Sequence, residues 1–427
     1  INIYKKTKRS AVLSIVLVII LAVLSGCSFL PADTGPAITP EASTVPPVIS
    51  PDISFGTPSD TSSPDSQNEA DELLSEMTLE EKIGQMFFIG SRYNSEGTNQ
   101  YDMDGALEEK LKKYKPGGFI FFAENIDSIS QTVQLIKNIR RSASVPIFIG
   151  IDEEGGIVSR LNKADKLHST VMPEPFAIGG TQNSEYAYEA ARAISEEIGS
   201  LGFNLDFAPV ADEFSNPENK VIGKRAYSAD PSVTAEMVAE AVKGMDDSGI
   251  IPVLKHFPGH GDTLQDSHTG VAVVENDLER LRRVEFLPFK AGIAAGADIV
   301  MTAHVMTPEI TRNDLPATLS KPMIDILRNE LSFDGVIITD GLEMSAISAL
   351  YKEEDAVVTA VQAGIDMLLL PKDLESAYNA VLTAVRDGRI GEDRIDESVK
   401  RILKLKLEKL TDRPDEIQDP EEVLGSK

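Results

Sequence analysis

The chain has 427 residues, of which 42% are hydrophobic and 26% charged, and a formal net charge of -27 at pH 7. That acidity excludes the basic footprint that nucleic-acid binding needs, and it repels a polyanionic substrate. A single cysteine excludes an internal disulfide.

The first segment to be set apart is N-terminal. Lys5, Lys6, Lys8 and Arg9 form a basic region and residues 11–23 an apolar one, closed by Leu24-Ser25-Gly26-Cys27. At about 13 residues the apolar run is short for a spanning helix. Its end resembles a bacterial lipoprotein box. The resemblance implies a signal peptide over 1–27, lipidation at Cys27, and an extracytoplasmic protein anchored to the bacterial cell membrane by that lipid alone. An uncleaved N-terminal anchor is the alternative. Residues 28–68 carry prolines at 31, 36, 40, 46, 47, 51, 58 and 64 among Ser, Thr, Asp and Gly, too polar to build a core. They read as a disordered tether, with a reach of roughly 100 Å at about 3 Å per residue.

From residue 69 the pattern changes. Short apolar runs at 83–89, 118–122, 146–151, 203–210, 250–256, 298–304, 335–339 and 365–370 alternate with amphipathic stretches at 128–141, 185–201, 232–248, 278–296 and 321–331. Continuous runs such as Phe119-Ile120-Phe121-Phe122 and Val336-Ile337-Ile338 are those of parallel strands buried on both faces. Eight such units predict an α/β fold, a (β/α)8 TIM-type barrel forming a single catalytic domain over 69–412. A doubly wound open sheet is the runner-up, but no glycine-rich dinucleotide fingerprint follows the first strand. Helices at 374–387 and 394–410 close the domain, and an acidic tail, 413–427, is expected to fray.

Chemistry in a barrel sits at the C-terminal strand ends. Read in turn, those ends carry Asp152-Glu153-Glu154-Gly155-Gly156, then Asp206 and Asp212, then Lys255-His256, His304, and Asp340-Gly341-Leu342-Glu343-Met344. Asp206 and Asp212 read as structural, and for Asp340 helix capping is a serious rival. The densest stretch runs from Lys255 to Gly270 and holds three of the five histidines. Asp266 and His268 lie two apart, so in an extended segment the carboxylate can hold the imidazole and raise its basicity, which suits proton transfer at neutral pH. A metal site from His256, His260 and His268 competes, but Pro258 and Gly259 break any helix between the first two. A loop whose histidines only satisfy backbone carbonyls is the other alternative.

Ile151 to Arg160, Asn216-Pro217 with Val221-Ile222-Gly223-Lys224-Arg225, the Lys255 to Gly270 loop, and Thr339-Asp340-Gly341-Leu342-Glu343-Met344 together resemble family 3 glycoside hydrolases. Asp266-Ser267-His268 resembles their β-N-acetylglucosaminidase branch. The resemblance implies that Asp340 is the nucleophile, that His268 is the general acid/base assisted by Asp266, and that Asp152, Arg160, Arg225, Lys255 and His256 hold the terminal sugar. It implies double displacement with retention, no metal and no cofactor. The expected partner is a carbohydrate, an N-acetylglucosamine-containing glycan or muropeptide, and the expected state a monomer. Ala226-Tyr227-Ser228 stands where Ser-Phe-Gly is usual, and Thr269-Gly270-Val271 where Leu-Pro is usual. A β-glucosidase-type or phosphorolytic enzyme, a non-catalytic wall-glycan-binding lipoprotein and a metal-dependent barrel hydrolase stay open as alternatives.

Overall fold

The computed structural model describes residues 64–263, 272–312, 314–411 and 418–427. Cys27 and most of the expected tether lie outside the described residues, as do Asp266, His268 and residues 412–417.

Eight parallel strands form one sheet: β1 (Phe87–Gly90), β2 (Gly118–Phe121), β3 (Phe148–Ile151), β4 (Leu205–Asp206), β5 (Ile251–Phe257), β7 (Ile299–Thr302), β9 (Val336–Thr339) and β10 (Leu368–Leu369). Spatial order follows chain order, with β10 paired to β1 (Phe87 beside Leu368). A parallel bridge between Ile338 and Met367 joins the last two strands, and Leu369 N–H donates to Thr339 Oγ1 at 2.9 Å, so the sheet closes on itself as a (β/α)8 barrel. Two short strands, β6 (Ala272–Val273) and β8 (Val305–Met306), pair in parallel apart from it.

Aromatic side chains fill the barrel. Phe88 stacks on Phe148 with ring centroids 6.5 Å apart and meets Phe207 edge-on at 5.2 Å. Phe88 leaves no room for a side chain on β2: a Cβ at Gly118 would lie 2.4 Å from its ring, so glycine is required there.

Three expected elements differ from those observed. The run at 83–89 begins inside the helix Leu79–Gln85, because Thr78 and Glu81 form a reciprocal capping box that nucleates a helical turn before β1. The expected strand at 203–210 shrinks to Leu205–Asp206, since Pro209 has no N–H for the ladder; beyond it only Val210 bridges to Lys255. The stretch at 278–296 splits into Leu278–Arg283 and Phe286–Ala294: Pro288 removes a helical N–H and its ring clashes with the carbonyl four residues back, at Val284, where the helix breaks. The helix Pro64–Glu76 begins inside the stretch expected to be tether and packs on the helix Glu392–Leu410. The C-terminal residues expected to fray instead dock. The turn Pro420–Val423 packs on the helix Glu185–Leu201, Gly425 N–H donates to Glu197 Oε1 at 2.9 Å, and Lys427 pairs with Glu196.

At the other end of the barrel Asp366, fully buried, accepts from Ile337 N–H (2.9 Å) and Ser398 Oγ (2.6 Å) and draws in Arg328, Arg394 and Arg401. This ties the last helix to the N-terminal ends of β9 and β10.

Candidate active site

Asp152 follows β3 directly. Its Oδ1 accepts from Lys255 Nζ at 2.9 Å and its Oδ2 from Arg160 at 3.1 Å. Glu154, two residues on, takes Arg225 as a two-pronged partner (2.8 Å at each oxygen) and also lies 2.5 Å from Lys255 Nζ. Lys255, at 2% exposure, is thus the hub that links two carboxylates. Burial alone favours neutral groups here, but the opposite charges win. Glu154 and Asp152 are both held below the ordinary carboxylate range, and Lys255 is pushed up. Asp152, Glu154, Lys255 and Arg225 stay ionised at neutral pH, and Arg160 Nε is buried without a hydrogen-bond partner among the described residues.

The loop after β5 is organised by Asp212. One of its oxygens meets His256 Nδ1 at 2.7 Å and the His256 N–H at 3.2 Å; the other accepts the His260 N–H at 2.6 Å. An anionic partner on Nδ1 fixes that nitrogen as the protonated one and leaves Nε2 for a ligand. His260 is buried, which holds its pKa down, and its Nδ1 lies 2.8 Å from Thr263 Oγ1. Asn219 binds the loop that carries Arg225 to this one: its Nδ2 donates to the carbonyls of His260 (2.8 Å) and Gly261 (3.1 Å), and its Oδ1 accepts from Val221 and Ile222 N–H, each at 2.9 Å.

Asp340 ends β9. Its N–H donates to the Thr302 carbonyl at 3.0 Å and its Oδ1 accepts the Gly341 N–H at 2.7 Å. Burial pushes its carboxyl up, yet His256, His304, the Gly341 N–H and Lys255 outweigh burial and hold it below the usual range. The carboxylate is therefore anionic at neutral pH. His304, after β7, lies 3.0 Å from both Thr318 Oγ1 and the Gly341 carbonyl, so it braces the peptide next to Asp340. Capping is not what Asp340 does here: the next helical turn, Ser345–Ser348, starts from Met344.

The structure thus brings Asp152, Arg160, Arg225, Lys255, His256 and Asp340 to one face. Sequence reasoning gave no role to Glu154 and took Asp212 as structural. Glu154 sits in the acidic run after β3, and Asp212 is an acid that directly follows the apolar stretch Ala208 to Ala211, where burial demands a partner for the charge; both were visible signals. Glu153 and Asp206 support the loop from behind. Glu153 accepts from the N–H groups of Arg160 (2.7 Å) and Leu161 (3.1 Å), and burial pushes its carboxyl up to about 7. Asp206 accepts the Glu153 N–H at 2.9 Å, in line with its structural reading.

The chain is similar to β-hexosaminidase A of Pseudoalteromonas piscicida, 33% identical over 368 residues, which are 77% of this chain and 61% of that protein. It is 38% identical over 272 residues to a β-hexosaminidase of Stenotrophomonas maltophilia, covering 62% of this chain and 79% of that protein. Among solved structures it is similar to a glycoside hydrolase family 3 β-N-acetylglucosaminidase from Paenibacillus sp. str. FPU-7, at 40% identity and a TM-score of 0.75, over 80% of this chain and 64% of that one. It therefore spans less than two thirds of the length of the first and the last of these. Residues 78–405 match the family model described as the glycosyl hydrolase family 3 N terminal domain, and the chain belongs to that family.

Proposed function

We propose that the protein is a retaining exo-β-N-acetylglucosaminidase that removes terminal N-acetylglucosamine from peptidoglycan fragments or related β-linked glycans. The observation that carries the reading is Asp340, a carboxylate held ionised at a strand end in the company of His256 and Lys255, on the same face as the ion network of Asp152, Glu154, Arg160 and Arg225. In that network Asp152 accepts from sugar hydroxyls, Arg160 offers its Nε, which has no partner among the described residues, Arg225 and Lys255 donate to hydroxyls and to the acetamide, and His256 Nε2 accepts from a hydroxyl.

Asp340 attacks the anomeric carbon, the glycosidic C–O bond breaks, and His268, supported by Asp266, gives the departing oxygen its proton. His268 then takes a proton from water as that water displaces Asp340 from the glycosyl-enzyme. No metal enters either step. At the N-terminus, lipidation at Cys27 holds the enzyme on the outer side of the cell membrane, and it works as a monomer.

The test is release of p-nitrophenol from its β-N-acetylglucosaminide and its β-glucoside, with and without phosphate or EDTA. The acetamido substrate is expected to be preferred, with no effect of chelator. Asp340→Asn is expected to lower turnover of both by at least about 10³. His268→Ala is expected to recover much of its aryl-substrate rate on adding azide, which needs no deprotonation. Preference for the glucoside, or an Asp340→Asn variant as fast as the parent, would overturn the reading.

A further inference from the structure

One buried carboxylate joins the loop after β3 to a segment far along the chain. Glu197, on the helix Glu185–Leu201, accepts the Thr170 N–H at 3.1 Å and the Thr170 hydroxyl, and it also accepts the Gly425 N–H at 2.9 Å. It is buried, so both sets of donors satisfy oxygens that water scarcely reaches. Gly425 is held there by shape as well. Its φ of +70° suits glycine, and a Cβ on it would fall 2.4 Å from the His168 carbonyl oxygen, so the segment lies directly against the loop.

Thr170 belongs to the loop that leaves β3 with Asp152 and ends at the helix Pro175–Gly179. Two residues further on, the Met172 carbonyl accepts the Gly156 N–H at 3.2 Å, and a Cβ added to Gly155 would lie 3.2 Å from Met172 Cβ. The far arm of the loop is thereby laid against the arm that carries Asp152, Glu154 and Arg160. Asp340 and His268 belong to other parts of the chain, after β9 and β5.

We propose that Glu197 is a positioning residue for binding of the terminal sugar, and that residues 418–427 act through it as a strap that keeps the far arm of this loop docked. The loop exchanges between a docked arrangement, in which Asp152 and Arg160 meet the sugar, and a loosened one. Apparent affinity for substrate scales with the docked fraction, whereas saturating substrate recovers the docked loop and with it the full chemical rate. Loss of the strap therefore raises KM and spares kcat. A general loss of folded protein does the reverse, lowering kcat at constant KM. The inference rests on the exo-N-acetylglucosaminidase reading for what the loop holds, but the coupling of strap to loop stands apart from it.

The test measures kcat and KM on p-nitrophenyl β-N-acetylglucosaminide, together with amide hydrogen exchange of peptides spanning 152–174. It compares the full chain with a chain lacking 418–427 and with Gly425→Ala, which keeps the segment but cannot seat it. In both variants KM is expected to rise about threefold or more with kcat within about twofold, and exchange in the loop to quicken. Thr170→Val is expected to act likewise, and Thr170→Ser, which keeps the hydroxyl, to behave as the parent. In a Glu197→Gln background, loss of 418–427 is expected to add little, because the two sets of contacts meet at that residue. Should the shortened chain not fold, Gly425→Ala carries the comparison. If no glycoside is turned over but the loop exchanges faster in the variants, the hydrolase reading fails and the coupling stands. An unchanged KM, a fall in kcat at constant KM, or the full effect persisting in Glu197→Gln overturns the inference, as does unchanged exchange in the loop.

Discussion

Lys255 is the residue on which the binding face depends. It is buried with Glu154 and also neutralises the half-buried Asp152, and Glu154 has no solvent to do without it. Removing one member of such a network leaves the others buried and uncompensated, which costs more than the pair contributes. Glu154→Gln is therefore expected to lower the stability of the folded protein by about 3 kcal/mol and to raise KM, since Arg225 loses its anionic partner and one of the two oxygens that hold it there, and Lys255 loses one of its two anionic partners. Urea unfolding and a substrate titration check this; an unchanged midpoint would mean that Arg225 is held by Val221 alone, whose carbonyl it also reaches at 3.0 Å. None of this was legible in sequence spacing, because Asp152 and Lys255 are 103 residues apart.

At the scale of the element, the loop after β5 rests on two buried acids. A Cβ on Gly261 would fall 1.6 Å from the Glu213 carbonyl oxygen, so the loop lies directly on that backbone. Among the described residues Glu213 has no hydrogen-bond partner for either carboxylate oxygen and Glu285 none for Oε2; Asp212, Asp262 and Arg280 lie around them. Burial, then the repulsion of neighbouring carboxylates, pushes Glu213 well above its ordinary value, and Glu285 is pushed up as well. A carboxyl raised in the folded state favours the protonated form, so the stability it supports is present in acid and lost as pH rises through the raised value. The protein is expected to unfold at lower urea as pH is taken above the ordinary carboxylate range, and Glu213→Gln to make that slope shallower. An equal slope in the variant would place the effect elsewhere, with Glu153 the next group to examine.

For the whole molecule, folding is expected to be independent of residues 1–63, because the described core begins with Ala70, on the first helix, and closes through Asp366 and its arginines. A chain lacking 1–63 is expected to remain soluble and to show the same urea midpoint, and Cys27→Ala to leave the membrane fraction or stay unprocessed. Aggregation of the shortened chain, or unchanged membrane association of the variant, would contradict the respective expectation.

The sequence by itself determined the order of strands and helices and the placement of Asp152, Lys255, His256 and Asp340 at strand ends, because a barrel strand buried on both faces is a continuous apolar run and polar residues resume where it stops. It also carried the family, in motifs whose residues are neighbours along the chain. Only the tertiary structure decided that Glu154 and Asp212 belong to the site, that Pro209 cuts β4 short, and that the C-terminal residues dock on the helix Glu185–Leu201. Each of these is a contact, or the lack of one, between segments far apart in the chain. Local periodicity says which residues leave water, and packing alone says whom they meet there.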